Sequence, residues 1–177
     1  MNIFVIPSWY PSHTQPLRGI FVKEQVESIA KIHPEINLGV SAWGHDDTYI
    51  SPSRLLTAVR TRLKNGVSGK TTHTVDSNVS HLKSLTLHWS HRLPFGGHQS
   101  LIKANRKNFL KFQQLVGHVD VIHAHVSYPG GAVAQRLSAE FGVPYVITEH
   151  MGPFPFESLK DRNCKPIFAL QIALRND

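Results

Sequence analysis

Cysteine is almost missing from this chain. Cys164 is the only one in 177 residues, which rules out an internal disulfide and a cysteine-rich metal site. A lone thiol fits a reducing compartment, and the expected location is the cytoplasm. Long apolar runs are missing too; none approaches the ~18 residues that a membrane-spanning helix needs. Acidic residues are scarce, 12 Asp and Glu against 19 Lys and Arg, so the formal charge is +7 and the pI near 9.8. That balance favours anionic partners without choosing among nucleic acid, phospholipid headgroups and phosphorylated small molecules. Gly-x-Gly-x-x-Gly and Walker A sequences are missing, so dinucleotide or ATP binding of the usual kind is unsupported. No Gly-x-Ser-x-Gly elbow occurs either, and Cys164 has no local nucleophile signature. Twelve histidines raise the question of a metal. The only close pairs, His88 with His91 and His123 with His125, lack cysteine or carboxylate company, so no metal is expected.

What is present is an ordinary globular composition, 41% hydrophobic and 18% charged, long enough for one domain with a proper core. The N-terminal Asn2–Pro7 lacks the marks of a signal peptide and reads as a strand that begins at once, with a β-branched and aromatic run over residues 3–7. A loop carrying Pro11 and Pro16 follows, then a helix over residues 20–32. Val22, Val26, Ile29 and Ala30 share one face of it and Lys23, Glu24, Glu27 and Lys31 the other, with Glu27 and Lys31 an i,i+4 pair. His33-Pro34 stops the helix, and residues 36–43 read as a second strand. The spacing of Leu55, Leu56, Val59 and Leu63 predicts a helix over 53–64, with a break at 65–70 and one or two strands within 71–89. After a turn at 94–97, residues 99–116 form the longest helix, burying Ile102, Phe109, Phe112 and Val116 and ending at Gly117. A β-α-β unit follows: strand 119–123, helix 130–141 capped by Gly142, and strand 143–148. Residues 165–176 read as a further helix. Alternating strands and helices imply a three-layer, Rossmann-like α/β domain with a mainly parallel sheet.

Chemistry-bearing residues cluster just past the apolar runs, where open α/β sheets place their ligand sites. Ser8-Trp9-Tyr10-Pro11 leads to Arg18-Gly19 at the start of a helix, a position suited to an anion, although a glycine N-cap without a ligand explains it equally well. Trp9 and Tyr10 can stack on a sugar or a lipid-linked acceptor, or anchor the loop by burial. Downstream, Asp120-Val-Ile-His-Ala-His-Val-Ser-Tyr-Pro-Gly-Gly131 is closed by Pro144-Tyr-Val-Ile-Thr-Glu-His150. His123 and His125 are expected on opposite faces of their strand, with His125 nearer the cleft and His123 packed beneath the sheet end. Gly130-Gly131 can admit a ligand or simply a neighbouring strand. Glu149 and His150 are candidates for binding sugar hydroxyls or for acid/base work, with loop-bracing as the plainer explanation.

Together these segments resemble the N-terminal half of a glycosyltransferase family 4 enzyme of the two-domain GT-B fold. The resemblance is good over residues 1–31 and 119–152 and poor between about 45 and 98. It implies retaining transfer of a sugar from a nucleotide-sugar donor to a glycan or lipid-linked acceptor, in cell-surface polysaccharide synthesis, without metal or cofactor. It assigns His125 to the donor sugar, Arg18 and Gly19 to the diphosphate loop, and Trp9, Tyr10, Ser127, Glu149 and His150 to the acceptor side of the cleft. It also implies that residues 1–177 are the acceptor-side domain alone. The nucleotide-sugar domain, with the family's Glu-x7-Glu signature and phosphate-binding Arg/Lys pair, is expected outside this chain, which is then inactive by itself.

A basic stripe, Lys103, Arg106, Lys107 and Lys111, runs along the long helix, and Arg54, Arg60, Arg62 and Lys64 give a second basic helix. Such runs are most often solvated faces. They can also dock on anionic lipid, making the protein peripheral at the inner membrane face. The competing reading from another class is a non-catalytic basic module that binds anionic membrane or nucleic acid. Recognised nucleic-acid motifs are absent, so no nucleic-acid partner is expected.

Overall fold

The computed structural model describes residues 1–12, 15–43, 72–84 and 98–150. The predicted helices over 53–64 and 165–176, the basic residues Arg54, Arg60, Arg62 and Lys64, the turn at 94–97, the His88/His91 pair and Cys164 lie outside the described residues.

Among the described residues six strands form one sheet, in the order β3-β4-β2-β1-β5-β6. They are β1 (Asn2–Pro7), β2 (Asn37–Trp43), β3 (Thr72–Asp76), β4 (Val79–Ser84), β5 (Val121–His125) and β6 (Tyr145–Thr148). Neighbouring strands run parallel except at one edge, where β3 turns back on β4 through Ser77-Asn78. Ser77 adopts φ 55° in that turn.

Among the described residues three helices cover the sheet: α1 (Ile20–Ile32), α2 (His98–Val116) and α3 (Ala132–Phe141). Along β1 the side chains alternate between two cores, as the two-residue period of a strand requires. Ile3 and Val5 join Val22, Val26, Leu38, Val40 and Val79 beneath α1. Phe4 and Ile6 join Leu101, Phe109, Phe112, Val133 and Leu137 beneath α2 and α3. Strands buried on both faces must be apolar throughout, which is why β1 reads as an unbroken run. Helices on both faces make three layers, the Rossmann-like arrangement expected.

Packing on the α2 side is tight. The Phe4 ring meets Phe109 edge-on at 5.2 Å, and Gly39 lies so close to Phe112 that a Cβ there would stand 2.6 Å from the ring. Two fully buried asparagines register α2 on the sheet. Asn108 Nδ2 donates to Ser41 Oγ at 2.8 Å and to the Leu82 carbonyl at 3.0 Å, while its Oδ1 accepts from Ser84 Oγ at 2.6 Å. Asn105 Oδ1 accepts from Ser41 Oγ at 2.6 Å and its Nδ2 donates to the Leu101 carbonyl at 2.9 Å.

Three local expectations differ from the structure. The strand expected over 119–123 runs from Val121 to His125, because Asp120 turns back to accept a hydrogen bond from the Asn2 amide at 2.6 Å. The segment before α3 is a wide turn over Ser127–Gly131, so α3 itself begins at Ala132. On α1, Glu27 pairs with Lys23 at 3.6 Å, one turn towards the N-terminus rather than towards Lys31.

Candidate functional site

β1 and β5 lie side by side, but β1 leads to α1 on one face and β5 leads to α3 on the other. Such a reversal opens a crevice beyond the carboxyl ends of the two strands, the usual ligand position in open α/β sheets. The two strand ends are tied together by Ser8. Its hydroxyl donates to the His125 carbonyl at 2.7 Å and accepts from the Gly130 amide at 2.9 Å, and its own amide reaches the same carbonyl at 3.2 Å.

Glycines permit this closeness. Gly19 precedes α1 in the left-handed conformation, φ 70°, with its would-be Cβ 2.2 Å from the Trp9 carbonyl oxygen. Any side chain would collide with backbone there, so the glycine is demanded by packing whatever else it serves. Gly130 is pressed against Ser8 and the His125 carbonyl, and Gly131 against Ile147. Both therefore admit a neighbouring strand rather than open space. Val126, between β5 and the wide turn, holds φ 71°, a conformation that a β-branched residue rarely adopts. Its amide donates to the Thr148 carbonyl at 2.8 Å and its carbonyl accepts from Gly131 at 3.0 Å.

Histidines dominate the crevice. His123 and His125 share one face of β5, their ring centroids 4.3 Å apart, which corrects the expectation of opposite faces. Residues two apart on a strand necessarily point the same way. His125 is 1% exposed. Its Nδ1 lies 2.9 Å from His150 Nε2, with the ring centroids 5.2 Å apart and the ring planes only 6° from parallel. His150 stands at the surface against Phe21 of α1, ring centroids 4.4 Å apart. His123 Nε2 pairs with Thr148 Oγ1 at 2.7 Å. A row of rings thus runs from β5 to the first turn of α1.

Burial pushes the His125 pKa down to about 3, helped by His123 and His150. His123 is lowered by burial and by His150. At neutral pH His125 is an uncharged imidazole, a hydrogen-bonding group rather than a cation. Among the described residues no group of three or more His, Cys, Asp or Glu side chains is arranged to hold a metal ion.

The remaining expected site residues divide. Glu149 spends both oxygens locally: Oε2 accepts from the Ser127 amide at 2.9 Å and its hydroxyl at 2.7 Å, and Oε1 from the His150 amide at 3.0 Å. That is the bracing role. Ser127 is fully buried and so braced, not presented to the cleft. Tyr10 is 7% exposed and packs in the core beneath α1, its hydroxyl without a hydrogen bond among the described residues. It is an anchor of the loop, while Trp9 keeps part of its surface exposed. Arg18 is exposed and its guanidinium donates to Gln15 Oε1 at 3.0 Å. The basic stripe lies on α2, away from the crevice. Arg106 of that stripe is bound to Glu140 at 2.6 Å and covers the Phe141 ring, whereas Lys103 and Lys107 are exposed and Lys111 partly so. Among the described residues no helix is long and apolar enough to cross a membrane.

Sequence reasoning did not single out Phe21 or the clamp made by Ser8. A phenylalanine among the charged positions of α1 was a readable signal; the hydroxyl's double use becomes visible only when β1 and β5 are adjacent. No protein-family model matches the chain, and no curated protein matches it.

Proposed function

We propose that this chain is the acceptor-side domain of a retaining glycosyltransferase that takes its sugar from a nucleotide-sugar donor. One observation carries the reading: the His125–His150 pair stands at the carboxyl ends of β5 and β6, in the crevice where the strand order reverses, facing the first turn of α1. A neutral, buried imidazole suits contact with a sugar hydroxyl or an ester oxygen. It does not suit neutralising a diphosphate by charge, so the cationic part of leaving-group stabilisation falls to a second domain. At the start of α1 the Ile20 and Val22 amides already donate to the Leu17 and Gly19 carbonyls at 3.3 and 3.0 Å, so what the helix offers an anion there is chiefly its dipole. Tyr10, Ser127 and Glu149 hold the crevice in shape, while His150 and Arg18 are exposed and Trp9 partly so.

The test is sugar transfer by the protein expressed together with a second α/β half, using a panel of nucleotide-sugar donors and lipid-linked or glycan acceptors. Transfer with retained anomeric configuration, lost on His125→Ala, supports the reading, and the 177-residue chain alone is expected to transfer nothing. Binding to anionic vesicles or nucleic acid in the absence of any transfer would favour the basic-module reading instead.

A further inference from the structure

We infer that the outer face of α2 is a docking surface for an anionic lipid bilayer, on the side of the sheet opposite α1. This goes beyond the proposed function and does not rest on it, since the crevice and its residues take no part.

Three observations lead here. First, the charge on α2 has one sign. Its 19 residues include three lysines and an arginine and no aspartate or glutamate. Lys103 and Lys107 are exposed and Lys111 partly so. Glu140 of α3 bonds Arg106 at 2.6 Å and offsets that arginine, while Arg136, exposed one turn earlier on α3, adds a further positive group. On the other side of the sheet α1 differs: Lys23, Glu24, Glu27 and Lys31 mix both signs, and Lys23 pairs with Glu27. Mixed signs are the pattern of a helix face that meets only water.

Second, stability does not account for the lysines. Lys103, Lys107 and Lys111 are successive i,i+4 neighbours, and like charges at that spacing destabilise a helix. An anionic surface laid against them relieves the repulsion.

Third, the same row of four-residue steps ends on an apolar side chain. Leu115 stands one turn beyond Lys111 and is 45% exposed. Lysines with a leucine beside them suit a bilayer, where the ammonium groups meet the headgroups and the leucine enters the acyl boundary. Nucleic acid fits less well. No exposed side chain described on α2 is aromatic, so bases find nothing to stack on, and the one arginine is held by Glu140.

Cosedimentation of the chain with vesicles of phosphatidylglycerol and phosphatidylcholine, set against phosphatidylcholine alone, reads the docking. The wild type is expected to bind the anionic vesicles and not the neutral ones, and to bind less as salt is raised. The triple variant Lys103→Gln, Lys107→Gln, Lys111→Gln leaves the core untouched and is expected to partition about a hundredfold more weakly. Leu115→Gln is expected to weaken partitioning about fivefold, a loss that charge attraction alone does not produce. The control removes the same charge from the other side of the sheet, through Arg18→Gln, Lys23→Gln and Lys31→Gln, and is expected to retain most of the binding. Circular dichroism verifies the fold of each variant. A wild type that ignores anionic vesicles, a control that loses as much as the α2 triple, or Leu115→Gln without effect overturns the inference. So does tighter binding to a DNA duplex than to vesicles, lost in the same triple. Sugar transfer is scored separately: transfer without vesicle binding overturns only the docking face, and vesicle binding without transfer overturns only the glycosyltransferase reading.

Discussion

Gly19 and Gly142 share one left-handed backbone geometry, φ 70° and 68°, but not one environment. Around Gly142 a Cβ would meet nothing within 4 Å, whereas at Gly19 it would lie 2.2 Å from the Trp9 carbonyl. Gly142→Ala is therefore expected to cost only the left-handed penalty, about 1–2 kcal/mol. Gly19→Ala adds a backbone collision and is expected to cost about 3 kcal/mol or more, since relief requires moving the loop after β1. Urea-denaturation midpoints of the two variants check the contrast; equal losses would mean the Gly19 approach is easily relaxed. His125 yields a prediction in pH. Its folded pKa of about 3 lies below the ordinary histidine value, 6.5, so between them the unfolded chain binds a proton that the folded chain refuses. The stability it confers is complete above that ordinary value and falls as the pH drops towards the folded one. His123 titrates in the same sense. His125→Gln should flatten the acid limb of the stability curve; an unchanged limb would show that His125 is not held neutral by burial.

Helix α2 is held by contacts of unequal worth. Asn108 bonds Ser41, Ser84 and the Leu82 carbonyl in a fully buried setting, so Asn108→Ala removes three buried hydrogen bonds and is expected to cost about 2–4 kcal/mol. Arg106 meets Glu140 at the surface, and Arg106→Ala is expected to cost less than about 1 kcal/mol. Thermal unfolding of both variants tests the ranking. Gly39 and Phe112 form a coupled pair: Gly39→Ala should be strongly destabilising alone and much less so with Phe112→Leu, since the offending ring is then gone. Helix α1 was readable from sequence because its apolar stripe and His33-Pro34 stop set both ends without help from the rest of the fold. β5 was harder. Val119 is buried like a strand residue, but Asp120 is drawn aside by Asn2, a partner 118 positions away that no local pattern encodes. The Asn105–Asn108 network was hidden for the same reason, since asparagines along a helix read as surface until their sheet partners are known.

The arrangement of the sheet decides which of these residues can act together. Strands β1, β5 and β6 end side by side, and His125, Glu149 and His150 stand at those ends with Gly19 pressed against the loop after β1. Their individual duties were less legible. Tyr10 comes one residue after Trp9 in the loop that follows β1, yet it turns into the core beneath α1, because a loop's direction is set by what packs against it. Glu149 and Ser127 face each other only because β5 and β6 are in register, His125 opposite Thr148. What emerges is a set of strand ends walled by backbone and braced side chains, with the buried His125 imidazole beside His150 and the start of α1 opposite. The decisive measurement is sugar transfer from nucleotide-sugar donors by the wild-type chain expressed together with a second α/β half, and by its His125→Ala variant, with folding of each verified by circular dichroism. A product of retained anomeric configuration in the wild type, reduced about a hundredfold or more in the folded variant, is the result expected. Undiminished transfer in His125→Ala, or no transfer from any donor by a folded wild type, would contradict it.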